Sequence, residues 1–212
     1  MTEPKVKRTV AFIDGQNLFH AGREAFGHRT PNYDPAKLAT AIASQQTGWQ
    51  LVQIRFYTGI PDAGDNPKWH RFWSAKLLAM SRAGIVTYSR PLRYRNKQFR
   101  LPDGSTHAIL VGEEKGIDVR LALDITRLAH KNAYDVALVF SQDQDLSEAA
   151  DDVRITAKEQ GRWIKIASAF PTSPTTKNRR GINSTDWIKI DRATYDTCLD
   201  PRQYRDSCLV SR

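Results

Sequence analysis

The chain has 212 residues, 40% of them hydrophobic, enough for one sizeable core and too few for a long array of domains. Lys and Arg outnumber Asp and Glu by 32 to 23, a net charge of +9 that favours nucleic acid or another polyanion as partner over a cationic one. No apolar run approaches the roughly 20 residues of a bilayer span, no apolar signal region precedes the first strand, and two late cysteines, Cys198 and Cys208, make neither a disulfide framework nor a zinc cluster, so a cytoplasmic protein with free thiols and no membrane partner is expected.

In chain order, apolar runs alternate with helical patterns, the signature of βαβ units around a parallel sheet. Residues 9–13 predict a buried first strand and 16–26 its helix. Asp34-Pro35 caps and starts a helix through residue 43, with proline in the first turn. Residues 51–57 are the second strand. Asn66-Pro67 opens a helix through residue 80, whose Trp69, Phe72, Trp73, Leu77 and Met80 fall at helical spacing. Trp69 and Trp73 share a face, as packing residues would. Residues 85–88 give a short third strand. Residues 92–99 and 106–111, around the turn signal Pro102-Asp103-Gly104, predict an inserted β-hairpin. Gly116 breaks the chain before a helix over 117–130 with Ile117, Leu121, Ile125 and Leu128 on one face. Residues 136–140 are the fourth strand, 146–159 a helix ended by Gly161, and 163–167 the fifth strand. Residues 171–183 are polar and breaker-rich, hence a loop, and from Trp187 the tail can add a short strand and a turn or helix. The pattern as a whole is α/β, with a mainly parallel five-stranded sheet and a hairpin inserted at about 92–111.

Acids stand at the ends of these elements. Asp14 follows the first strand, Asp143 and Asp145 follow the fourth, and Asp118 opens a helix. Ligands of open α/β sheets bind at the carboxyl ends of the strands. Carboxylates gathered there repel one another unless a cation intervenes, and Mg²⁺ or Mn²⁺ takes oxygen ligands of this kind. Each acid also has a plain structural reading, as turn former, cap or helix-dipole partner. Asp124, six residues past Asp118, points about 240° around the helix and is expected to be structural. Asn17 can serve a phosphate or only a helix start, Gly15 permits a tight turn, and Lys115 is either a phosphate contact or a surface lysine. Rival chemistries lack their motifs: there is no GxGxxG after a strand, no GKS or GKT, no GxSxG, and His20, His28, His70, His107 and His130 show no zinc spacing.

The segments FIDGQN, KGIDVRLALD and SQDQDL, in this order, resemble the NYN domain family, a branch of the PIN-like nucleases. The resemblance covers roughly residues 8–168, and GINSTDWIKID resembles the ending of bacterial members. It implies a Rossmann-like three-layer α/β/α fold and a domain plan of a basic tail over 1–8, an NYN/PIN-like domain over 9–168, and a C-terminal loop and extension over 169–212 packed on it. It also implies metal-ligand roles for Asp14, Asp118, Asp143 and Asp145 and a supporting role for Asn17. Gln142 stands where the family commonly has Gly, so a side chain there can narrow the approach to the metal or change the turn. Related PIN-like proteins often dimerise, which leaves a homodimer open here.

Arg90, Arg93, Arg95, Lys97 and Arg100 crowd the hairpin with Tyr88, Tyr94 and Phe99 among them. Alternation puts Arg93, Arg95 and Lys97 on one face and Tyr94 on the other. Such a face can follow a phosphate backbone or be a solvated edge. Lys177, Arg179 and Arg180 form a second basic loop. Together these residues predict an Mg²⁺- or Mn²⁺-dependent ribonuclease, an endonuclease on single-stranded or structured RNA. Asp14, Asn17, Asp118, Asp143 and Asp145 would be its catalytic group, and Arg93, Arg95, Lys97, Arg179 and Arg180 its RNA contacts. No histidine base is required, because a bound cation activates water. Two alternatives stay open: a catalytically weak or inactive RNA-binding module with a PIN-like fold, and a phosphatase or nucleotidase using the same acids.

Overall fold

A computed structural model describes residues 1–100, 105–202 and Tyr204. The strands are β1 (Lys7–Asp14), β2 (Trp49–Ile60), β3 (Val86–Pro91), β4 (Arg93–Arg100), β5 (Thr106–Glu113), β6 (Val136–Phe140), β7 (Lys165–Pro171) and β8 (Asp186–Ile190). The helices are α1 (Gly15–Phe26), α2 (Pro35–Ser44), α3 (Pro67–Arg82), α4 (Ile117–His130), α5 (Ser147–Glu159) and α6 (Arg192–Thr197). The turn signal at Pro102-Asp103-Gly104 and Cys208 lie outside the described residues. Cys198 is a buried free thiol, and no described helix is long and apolar enough to cross a membrane.

β3, β2, β1, β6, β7 and β8 form one six-stranded sheet in that order, every pair parallel. The expected five strands are present, and the tail supplies the sixth: β8 pairs with β7 from Ala167↔Asp186 to Pro171↔Ile190. β7 starts two residues later than expected and runs through Pro171, because that edge is occupied by β8. Alternation along β1 builds the three layers. Ala11 and Ile13 face a core shared with Leu18, Leu38, Phe56, Trp73 and Tyr195, while Val10 and Phe12 face one shared with Ile117, Leu121, Ile125 and Val153. A central parallel strand covered on both sides has to be apolar throughout, and VAFI is.

Strand order fixes where a ligand can sit. The chain leaves β1 toward β2 and β3 on one side and resumes at β6 on the other. The crevice between the carboxyl ends of β1 and β6 is therefore the topological switch point of an open α/β sheet. Ile13 is level with Phe140, so Asp14 and Ser141, each one residue further on, leave the sheet side by side.

The C-terminal extension is fastened by a buried lysine. Lys76 on α3 is fully buried. It donates to the carbonyls of Pro31 at 3.0 Å and Tyr33 at 2.8 Å and pairs with Asp200 at 3.7 Å. Burial pulls its pKa down to about 8, against the carboxylates of Asp200 and Asp34. Tyr33 in turn donates from its hydroxyl to Gly15 O at 3.0 Å, so this buried cluster reaches the first residue of α1.

Candidate metal centre at the sheet switch point

The β1 turn is built around Asp14. Its Oδ1 caps α1 by accepting from the Asn17 backbone N–H at 3.1 Å, and its Oδ2 accepts from Ser141 Oγ at 3.2 Å. Burial is the main reason its pKa rises to about 6. The hydrogen bonds from Asn17 and Ser141 oppose the rise, and the charges of Asp143 and Asp118 add to it. Gly15 serves here by lacking a side chain, because a Cβ would lie 2.6 Å from Phe56 Cζ. The expected tight turn is instead the first turn of a helix.

Ser141 and Asn17 join this turn to the next. Ser141 Oγ also accepts from the Asp143 backbone N–H at 3.1 Å, and Asn17 Oδ1 accepts from the Gln142 N–H at 2.9 Å. Asn17 thus stitches the ends of β1 and β6 together through its side-chain oxygen, a role beyond the phosphate donor or helix-start bond expected from the sequence. Beyond Ser141, Asp143 Oδ1 accepts from the Asp145 N–H at 3.0 Å and opens a short 3₁₀ turn, Gln144–Leu146. α4 brings the third element: Gly116 takes the left-handed conformation, φ 75°, and the helix begins one residue later with Asp118 in its first turn.

These three turns place one carboxylate oxygen each from Asp118, Asp143 and Asp145 within 4.8 Å of one another. Asp143 and Asp118 are half-buried and Asp145 exposed, so the group opens to solvent. Asp14 does not join it at that distance; it stands behind, buried and tied to Asp143 through Ser141. Three hard oxygen donors, two from the turn after β6 and one from the start of α4, suit a divalent cation. Asp124 is occupied elsewhere, as its position on α4 implied: it accepts from Arg55 at 2.9 Å, Tyr57 at 2.9 Å and Arg120 at 3.1 Å, and so pins α4 to β2.

One acid was missed. Glu114 turns inward where β5 meets α4, and its Oε1 accepts from the Gly59 N–H. A Cβ on Gly59 would collide with Leu92 and Glu114, so only glycine admits this approach. Burial raises the Glu114 pKa to about 7; the Gly59 bond opposes this, and the charges of Asp14 and Asp118 reinforce it. The sequence shows two adjacent glutamates here and no sign of which turns in; Glu113 instead pairs with Lys97 at 2.6 Å across the hairpin.

Gln142, the residue in place of the usual Gly, leaves the carboxylates alone. Its side chain is buried and donates through Nε2 to Asn178 O at 3.2 Å and Arg180 O at 2.8 Å. Gln144 repeats the contact, donating to Gly181 O at 2.9 Å and accepting from the Asn183 N–H at 3.1 Å. The two glutamines clamp the basic loop to the end of β6. Within it, Arg179 donates to Thr176 O at 3.0 Å and to Pro174 O, while Arg180 reaches Asn183 at 3.4 Å. On the hairpin, Arg93, Arg95 and Lys97 share their face with their opposite numbers Glu113, Val111 and Ile109, so that face is mixed rather than wholly basic. Tyr94 accepts from the Asp62 N–H at 3.0 Å and moors the hairpin base. Lys115 is exposed.

A family model described as NYN domain matches residues 8–181. The chain is similar to the crystal structure of a protein of unknown function from Vibrio parahaemolyticus, with a TM-score of 0.52 and 16% identity, over 91% of this chain and 98% of that one. That likeness concerns the fold. No curated protein matches the chain.

Proposed function

The chain belongs to the NYN domain family, a nuclease-like family with a PIN-like fold, and from that premise we propose that it is an Mg²⁺- or Mn²⁺-dependent ribonuclease that hydrolyses phosphodiester bonds within RNA. The observation that carries the reading is the convergence of Asp118, Asp143 and Asp145 within 4.8 Å at the switch point of the sheet. Those three residues would hold the cation. When bound, it activates water for attack on the phosphodiester and offsets negative charge on the phosphate.

The remaining residues position and tune. Asp14 aligns the β6 turn through Ser141, which also receives the Asp143 backbone N–H, and adds negative charge behind the cation. Asn17 keeps the two strand ends in register by accepting from Gln142. Glu114 adds a further carboxyl, whose pKa burial raises with smaller contributions from the charges of Asp14 and Asp118. The net charge of +9 suits a polyanion such as RNA. Arg93, Arg95 and Arg180 would contact its phosphates, with Lys97 and Arg179 contributing from within their pairings.

The test is cleavage of end-labelled single-stranded RNA by the purified chain with Mg²⁺, with Mn²⁺ and with EDTA. Internal cuts that require the cation support the reading. RNA binding that needs the cation but yields no cuts would replace it with that of a binding module.

A further inference from the structure

A cavity of about 190 Å³ opens on the α1 side of the turn that carries Asp14, reached through Gln16 two residues further on. Its walls include Phe19, Pro61, Trp69 and Trp73, and its polar groups are Gln16 and His20. Three of its lining residues come from the carboxyl edge of the sheet, and Pro31 closes it from the loop after α1. Gln16 lies two residues past Asp14 in the first turn of α1, Pro61 directly follows β2, and Trp69 is in the first turn of α3. Trp73 is buried among core residues and packs on Phe56 at 6.1 Å, so it is a floor. Phe19 and Trp69 are only half-buried, and His20 is exposed. Phe19 and Trp69 pack on the core along one side, Trp69 edge-on to Phe72 at 5.2 Å, and keep the rest of their surface toward the cavity.

We propose that this cavity receives a single unpaired nucleobase of the RNA strand whose phosphate lies at the acidic group. The inference rests on the ribonuclease reading for its RNA but adds a site and a substrate class to it. Flat aromatic and prolyl surfaces match a base face, and stacking on aromatic side chains is sequence-tolerant. Among the described residues no Lys or Arg lines the cavity, so it does not suit a phosphate; the backbone stays outside it. Gln16 offers an amide that donates and accepts. The imidazole of His20, when neutral, likewise offers one donor and one acceptor. The volume holds one ring system rather than a whole nucleotide. A base held in a duplex cannot turn into such a cavity, so unpaired RNA is the substrate and paired RNA is not.

The experiment measures binding rather than turnover. The whole chain carrying Asp143→Asn is titrated, in Mn²⁺, against a short ribose-phosphate strand that is abasic throughout and against the same strand with one central uracil. The uracil is expected to tighten binding about tenfold, the scale of one base–aromatic stack. That gain should vanish in Phe19→Ala and shrink in His20→Ala, an exposed position whose change leaves the core intact. A uracil that adds no affinity overturns the proposal, and so does a gain that survives both substitutions, since the base is then stacking elsewhere. Because no cleavage is read, absence of nuclease activity in the wild-type chain leaves this outcome interpretable on its own.

Discussion

Replacing Asp124 tests whether the metal centre depends on a buried ion pair behind it. The carboxylate is 4% exposed and accepts from Arg55, Tyr57 and Arg120. Asp124→Leu leaves the Tyr57 hydroxyl, itself buried, without an acceptor, a cost of about 1–3 kcal/mol. It also strips the partner from the Arg55 guanidinium, whose side chain is 15% exposed. Arg120 is 38% exposed and adds little, on the scale of an exposed pair at about 0–1 kcal/mol. The total is about 3–5 kcal/mol, the usual penalty for removing one partner of a buried pair, and corresponds to a Tm lower by on the order of 10 °C. Apolar replacement of the whole group, as Arg55→Met with Tyr57→Phe and Asp124→Leu, should recover most of that loss. Urea denaturation of the singles and the combination measures it. Burial raises the Asp124 pKa, and hydrogen bonds from Arg120, Tyr57 and Arg55 more than reverse the rise, leaving it below the usual value. Its stabilising effect is therefore full above the unfolded carboxylate pKa of about 3.9 and lost as pH falls through the lower folded value. The gap between wild type and Asp124→Asn should close on acidification. Penalties that simply add in the combination, or a gap independent of pH, would refute the reasoning.

Three further outcomes follow from the same geometry. Gln142→Gly removes two hydrogen bonds to the basic loop and should cost about 1–3 kcal/mol, with faster amide hydrogen exchange over residues 178–183 and, if the loop meets RNA, a higher KM at unchanged kcat. Lys76→Met leaves the carbonyls of Pro31 and Tyr33 without their charged donor, a loss of about 3 kcal/mol that calorimetry should register as a lower Tm. Without divalent cation, Asp118→Asn should raise Tm by relieving repulsion among the clustered acids; with Mn²⁺ the wild type should gain stability and the variant should not.

The centre of the sheet was legible because β1, β6 and β7 are short apolar runs, and Asp14 and Asp143 were legible because they stand at or just after the first two of them. Asp14 and Asp143 needed no tertiary knowledge to be placed at strand ends. The order in which the strands pair did need it, and that order decides which acids meet. Asp145 reads as a helix cap in isolation; its convergence with Asp118 depends on a turn of α4 set by Gly116. Glu114 was hidden because its inward turn is permitted by Gly59, which is 55 residues distant. Gln142 was visible as a departure, but its partners lie 36 and 38 residues away, so the direction of its side chain was not. Nothing in the sequence marks Lys76, because its burial depends on Asp200 and Tyr204 of the C-terminal extension. The hairpin charges read as a basic face because periodicity shows one strand at a time; β5 supplies the opposing Glu113 and the apolar neighbours.

The most direct measurement is the initial rate of single-stranded RNA cleavage by wild type and Asp143→Asn, purified identically, at saturating Mn²⁺. Asp143 follows β6, caps the turn that carries Asp145 and belongs to the three-carboxylate group, so cation-dependent cleavage by wild type is expected, with a loss of at least about a hundredfold in the variant, the scale of removing one catalytic electrostatic group. Equal rates in the two proteins would contradict it.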